Sequence, residues 1–178
     1  AEYMPQNYED QLDMSLTPVE YLNTTGDKEK MTRIRTYLGA LKYTADEMDH
    51  PIAELSGGQK AKIFLLKMSM SGANVLILDE PTSGLDPVSR EELLHIFRQI
   101  VKNEKCSILF STHITSDLDR CTDDITYIQN GRVLQSADKD TFLRSFEHLK
   151  TPDDSGPLTL EEIMLRTERS EWDDDITV

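Results

Sequence analysis

Four consecutive aliphatic residues, Val75-Leu76-Ile77-Leu78, stand between Gly72-Ala73-Asn74 and the acidic break Asp79-Glu80-Pro81. The run is short for a helix and lacks the alternation of a half-wet strand. It predicts a strand buried on both faces, the habit of parallel sheets. Parallel neighbours need a crossover, and residues 88–104 supply a helical pattern with Leu93, Leu94, Ile96, Phe97, Ile100 and Val101 inward. A second buried strand is predicted over Cys106 to Phe110. Strand, helix, strand places residues 73–149 in the α/β class.

Residues 7–70 read as a helical lobe beside that core. Thr17-Pro18 is a helix start with Pro at the first helical position, and Val19, Tyr21 and Leu22 face inward. Asn23 to Asp27 is a turn with Gly26. Met31, Ile34, Leu38 and Leu41 fall on one face of a helix from about Lys28 to Leu41. Ser56 is a natural N-cap, and Gln59 three residues on completes a capping box. That helix buries Ile63, Phe64, Leu66 and Met70 and stops at Gly72. Beyond the core strands come a short helix from about Ser116 to Cys121 and a strand at Ile125 to Ile128. Asn130-Gly131 signals a hairpin whose return strand is Arg132 to Gln135, and a helix is predicted near Lys139 to Leu149. Residues 151–178 read as an acidic extension, with a short amphipathic helix at Leu158 to Leu165 and disorder expected from Ser170.

A length of 178 residues predicts one domain or most of one. The 33 acidic residues outnumber 19 Lys and Arg, for a net charge of −14. Nucleic-acid affinity comes from clustered cations, so no nucleic-acid partner is expected. The longest apolar runs have four residues, far short of the roughly 20 a membrane-spanning helix needs. Cys106 and Cys121 make no disulfide framework and read as small apolar residues. The chain opens on Ala1 without a secretory leader, and a fragment or trimmed chain is the expectation.

Chemistry gathers at strand ends. Asp79 and Glu80 close an apolar strand, where α/β sheets bind their ligands. The aliphatic run ending in Asp is similar to the strand whose Asp serves Mg²⁺ in P-loop NTPases, and a carboxylate next in sequence can polarise a water. The pair alone also fits a strand running into an acidic turn. Ser56-Gly57-Gly58-Gln59 exposes backbone N–H groups at a helix start, a place suited to phosphate, though two glycines there also fit an ordinary helix entry. Ser83-Gly84-Leu85-Asp86 follows the first strand, and Ser111-Thr112-His113 ends the second.

Taken in order, these segments resemble the ATP-binding-cassette (ABC) ATPases over about residues 3–150. Leu55 to Gln59 resembles the family signature, and Val75 to Glu80 the Walker B strand with its glutamate. Ser83, Gly84, Leu85 and Asp86 are similar to the D-loop. His113 matches the switch histidine and Gln6 the Q-loop glutamine, while Asn130-Gly131-Arg132 resembles the family's hairpin. The resemblance implies a P-loop NTPase fold: the helical signature lobe and the C-terminal part of a RecA-like parallel-sheet core. It implies ATP and Mg²⁺ as cofactors, with Asp79 and Gln6 toward the metal. Glu80 would be the general base and His113 its partner at the γ-phosphate. Ser56, Gly57, Gly58 and Gln59 would face nucleotide held by a second nucleotide-binding domain.

No GxxxxGK[ST] cradle occurs among the eight glycines. In the family that cradle, and the aromatic that stacks on adenine, precede the Q-loop glutamine. The chain alone is therefore expected to bind ATP weakly and to be inactive. The resemblance has two shades. Met4-Pro5-Gln6 and Ala53 to Ala61 are similar to the ABC-F ribosome factors, whereas Ser83 to Pro87 and Phe110 to His113 resemble transporter subunits, as if a seam lay near the Walker B strand. The acidic charge favours the transporter reading: a cytoplasmic subunit, peripheral on the inner face of the cell membrane, engaging a transmembrane permease. An ABC-F ATPase and a truncated non-catalytic cassette are the alternatives.

Overall fold

A computed structural model describes residues 1–104 and 106–175. They fall into two compact units, Ala1–Thr112 and His113–Val178.

The first unit is built on a parallel sheet of three strands: β1 (Glu2–Met4), β2 (Val75–Asp79) and β3 (Ser107–Ser111), with β2 in the middle. Leu76 and Leu78 point into the core and are 0% and 1% exposed. Each such burial is worth about 2 kcal/mol. The expected burial of both faces is not what forms. The cross-strand row Tyr3, Ile77 and Leu109 is exposed, with Leu109 at 64%. Among the described residues the Leu76 and Leu78 face is covered and the Ile77 face is not, so the aliphatic run alternates in burial although it does not alternate in chemistry.

Among the described residues the unit also holds the α-helices α1 (Pro18–Leu22), α2 (Lys28–Ala40), α3 (Ala45–Asp49), α4 (Gly57–Met70) and α5 (Pro87–Glu104). Their starts are written in side chains. Thr17, Thr44 and Ser56 each form a full capping box with Glu20, Glu47 and Gln59, while Asp27 accepts from the Glu29 N–H. α4 is the hub, with Ala61, Ile63, Phe64, Leu65 and Met68 all buried. It packs on α5, on β1 and on the 3-10 turn Tyr8–Gln11. Leu66 and Met70, expected inside, are only partly covered. α5 buries Leu93, Leu94, Phe97 and Ile100 as predicted, but Val101 is 42% exposed.

Lys62 of α4 is the surprise of this core. Its side chain is 8% exposed, and its ammonium donates to Glu92 of α5 at 2.8 Å. Lys42, just past the end of α2, donates to the other oxygen of the same carboxylate at 2.7 Å. One acidic side chain thus joins three helical segments.

The second unit holds α6 (Thr115–Cys121), the antiparallel pair β4 (Asp124–Gln129) and β5 (Arg132–Asp138), α7 (Lys139–Ser145) and α8 (Leu160–Asp175). Asn130 and Gly131 turn the hairpin at φ +49° and +73°, as the dipeptide predicted. The core is Ile125, Phe142, Phe146, Leu158, Leu160 and Ile163. Segment 151–168 is therefore part of this unit instead of a solvated extension, because three of its apolar residues complete the core. Arg166 binds the Asp154 carboxylate through both nitrogens at 2.6 and 2.7 Å and holds its pKa far below the usual carboxylate range. The expected helix Leu158 to Leu165 lengthens to Leu160–Asp175. Of the disorder expected from Ser170, residues 176–178 lie outside the described residues.

The Lys62–Glu92 pair gives a stability prediction. Hydrogen bonds from Lys42 and Lys62 hold the Glu92 pKa below its ordinary value. A lowered folded-state pKa contributes stability above the unfolded-state pKa, and this is lost as the pH falls through the folded value. Glu92→Gln should cost about 2 kcal/mol at neutral pH, since it strands a buried ammonium. The gap from wild type should narrow in acid. Urea melts at pH 7 and pH 3 check both; an undiminished gap at pH 3 contradicts the assignment.

Candidate functional site

The carboxyl ends of β1, β2 and β3 lie side by side, because all three strands run parallel. Register aligns Met4, Leu78 and Phe110. Gln6, Glu80 and Thr112 therefore each stand two residues past this row. Gln6 is exposed in the turn after β1. His113 is the first residue of the second unit and is exposed there.

Asp79 and Glu80 are fixed differently. Ser111 Oγ–H donates to Asp79 Oδ1 at 2.6 Å, and the Tyr3 hydroxyl reaches Oδ2 at 3.5 Å. Glu80 adopts φ +46°, the left-handed region, which costs a non-glycine residue on the order of 1 kcal/mol. Neighbouring bonds enforce it: the Glu80 N–H donates to the Ser111 carbonyl at 3.1 Å, and the Glu80 carbonyl accepts from the Ser83 N–H at 3.0 Å. This twist turns the chain at Glu80 out of the strand direction, and β2 ends at Asp79.

The loop after Glu80 is anchored on buried Pro81 and on Thr82, which is 0% exposed. Gly84 takes φ +73°, and Leu85 N–H closes on the Thr82 carbonyl at 3.3 Å. Asp86 ends the loop as the cap of α5, accepting from the Val88 and Ser89 N–H groups at 3.0 and 3.1 Å. Bonds to Ser89 hold its pKa below the ordinary range.

The start of α4 forms a second cluster. Ser56 and Gly57 are exposed. Ser56 Oγ accepts from the Gln59 N–H at 3.3 Å, and Gln59 Oε1 accepts from the Ser56 N–H at 3.0 Å. The Gln59 amide also donates to Glu47 at 2.7 Å. Gln59 is thereby committed on both ends to shaping the turn. A Cβ on Gly57 would stand 3.9 Å from Leu85, so the turn abuts the loop that follows Glu80. A Cβ on Gly58 would stand 2.4 Å from Ser89 Cβ, closer than any real contact. The structure thus brings Gly57 to Leu85 and Gly58 to Ser89, and it ties Asp79 to Ser111 and Tyr3 and Glu80 to Ser111.

Four contributors escaped the sequence reading. Tyr8 donates to the Gly57 carbonyl at 3.0 Å, Tyr43 donates to the Gln59 carbonyl, Glu9 pairs with Lys60 at 3.1 Å, and Glu47 holds Gln59. The capping box at Thr44 pointed to Glu47; nothing local marked the others.

Comparison with known proteins sets this geometry in a family. A family profile described as ABC transporter matches residues 1–83. An energy-coupling factor transporter ATP-binding protein, EcfA2, of Ligilactobacillus salivarius is 30% identical over 131 residues, 73% of this chain and 45% of the relative. The methionine import ATP-binding protein MetN of Escherichia coli K12 is 34% identical over 135 residues, 76% of this chain and 38% of the relative. The chain spans less than half the length of these relatives. Among solved structures, an inward-facing ABC transporter of metal-chelate type aligns with a TM-score of 0.68 at 16% identity, over 93% of this chain and 63% of that one. A dimeric ATP-binding cassette with ADP and Pi aligns at 0.61 and 19% identity, over 76% and 61%. At such identities the solved structures show the fold.

The contact between Gly58 and Ser89 is directly testable. Gly58→Ala should destabilise the chain by about 1–3 kcal/mol, the usual cost of overpacking. Adding Ser89→Gly should restore most of it, because only the Ser89 side chain stands inside contact distance and its Cα lies 3.7 Å away. Equal melting of the single and double variants would refute the contact.

Proposed function

The chain belongs to the ABC ATPases, and from that membership we propose that it serves as an ATP-binding and ATP-hydrolysing subunit of an ABC transporter. The observation that carries the proposal is Glu80. It is a carboxylate held at positive φ at the carboxyl end of a central parallel strand, beside an Asp already oriented by Ser111. Main-chain strain enforced by neighbours is the usual mark of a functional position.

In this reading Glu80 takes the proton of the attacking water; for His113 the family resemblance implies a hydrogen bond to the γ-phosphate. Ser56 Oγ–H and the Gly57 and Gly58 N–H groups face the phosphates of a nucleotide held by a second nucleotide-binding domain, where the dipole of α4 favours negative charge. The same reading puts Ser83, Gly84, Leu85 and Asp86 along that interface, and the nearness of Leu85 to Gly57 supports it. Among the described residues, no group of three or more His, Cys, Asp or Glu gathers to hold a metal by itself. Asp79 and Gln6 offer one carboxylate and one amide oxygen at the sheet edge. That set suits Mg²⁺, which takes one or two protein carboxylates and fills its shell with water and phosphate oxygens. When bound, the ion neutralises charge on the nucleotide phosphates.

Among the described residues no helix is long and apolar enough to cross a membrane. The proposal puts the membrane path in a separate permease and this chain on the inner face of the membrane. The transporter names of EcfA2 and MetN, and the net charge of −14, favour this over a ribosome-bound factor.

In the assembled ATPase, Glu80→Gln should lower kcat by about 10²–10³-fold while ATP binding persists, because the proton acceptor is lost and the phosphate-binding groups stay. Single-turnover hydrolysis and equilibrium nucleotide binding check the two halves. Wild-type turnover in this variant removes Glu80 from the role.

A further inference from the structure

Tyr8 lies two residues after Gln6 in the 3-10 turn Tyr8–Gln11, and it is 8% exposed. Its ring packs on Phe64 of α4 with centroids 5.7 Å apart. Its hydroxyl passes along α4 and donates to the Gly57 carbonyl at 3.0 Å. Burial pushes the Tyr8 pKa up to about 12, so the phenol keeps its proton at working pH.

The acceptor matters. The Gly57 carbonyl and the Gly58 N–H belong to one peptide group. That N–H is in the first turn of α4, where helix geometry provides no acceptor within the helix. A donor on the oxygen of a peptide draws electron density from its nitrogen and makes the N–H a stronger donor, as in hydrogen-bond chains generally. Tyr43 donates to the Gln59 carbonyl, two peptides further on, where the Lys60 N–H already donates to the Ser56 carbonyl at 3.0 Å. Glu9, beside Gly57, would oppose an anion there, but its carboxylate is paired with Lys60 at 3.1 Å.

We propose that Tyr8 is a positioning residue for the phosphate-facing turn: its hydroxyl orients and polarises the Gly57–Gly58 peptide, and its place beside Gln6 ties that turn to the end of β1. The idea rests on the reading of Ser56, Gly57 and Gly58 as the groups that meet nucleotide. It adds to that reading a residue on a different segment, and a physical route from the strand edge to the helix start that runs through one hydrogen bond and one ring contact.

Tyr8→Phe is the test, because it keeps the ring on Phe64 and deletes only the hydroxyl. In the assembled ATPase, assayed well below the melting temperature of the variant, kcat should fall about fivefold at unchanged KM. In spectra of the chain, the Gly57 carbonyl carbon should move as its hydrogen bond is lost. Wild-type kcat, a fall in kcat matched by a rise in KM, or an unmoved Gly57 carbonyl each overturns the proposal. Ser56→Ala, run in parallel, separates the two levels. If it also leaves kcat untouched, the phosphate-facing reading itself fails. If it lowers kcat while Tyr8→Phe does not, only the role of Tyr8 is lost.

Discussion

The first unit depends on how closely α4 can approach α5. Gly58 makes that approach possible, since any side chain there would collide with Ser89. Four residues along, at the next turn of the helix, Lys62 meets Glu92, so the crossing is set by an absent Cβ at one point and a charge pair at the next. The two contacts do different work. The glycine sets a distance by sterics, which tolerate almost no error. The ion pair sets a direction, since a buried ammonium costs several kcal/mol when left alone. Together they bring the exposed start of α4 to the loop that runs from Glu80 to Asp86.

That loop is the second constraint. It leaves β2 through a glutamate in the left-handed region and ends with Asp86 capping α5. Strain enters at one end and a favourable cap closes the other. Ser111 serves both carboxylate positions, through its hydroxyl to Asp79 and its carbonyl to the Glu80 N–H. The chemistry of the edge is thereby tied to the pairing of β2 with β3. A loss of that pairing would release Asp79 and Glu80 together.

Local features of the chain were legible in proportion to how local their causes are. Thr17, Ser56 and Asn130-Gly131 each satisfy backbone groups a few residues away, and each marks its cap or turn in the structure. β1 was missed because a three-residue strand carries no period and owes its existence to the edge of β2. Lys62 was missed because the reason for its burial, Glu92, lies 30 residues away. The run at Val75 to Leu78 was read as doubly buried, yet Ile77 is 37% exposed. Apolar composition states what a strand tolerates; which face is covered depends on the layers that arrive.

Chemical identity and order belong to the sequence alone. An Asp-Glu pair follows an aliphatic strand, a Ser-Gly-Gly turn opens a helix, and the family follows from those residue types at those separations. Such signals survive in one dimension because each motif is read within a single turn or strand end. The tertiary structure alone decided that Leu85 rests on Gly57, that Tyr8 reaches the Gly57 carbonyl, and that Leu158, Leu160 and Ile163 close a core. These contacts join segments that no local rule connects. They exist only once hydrophobic burial has drawn separate elements together and left each polar group to find its nearest partner.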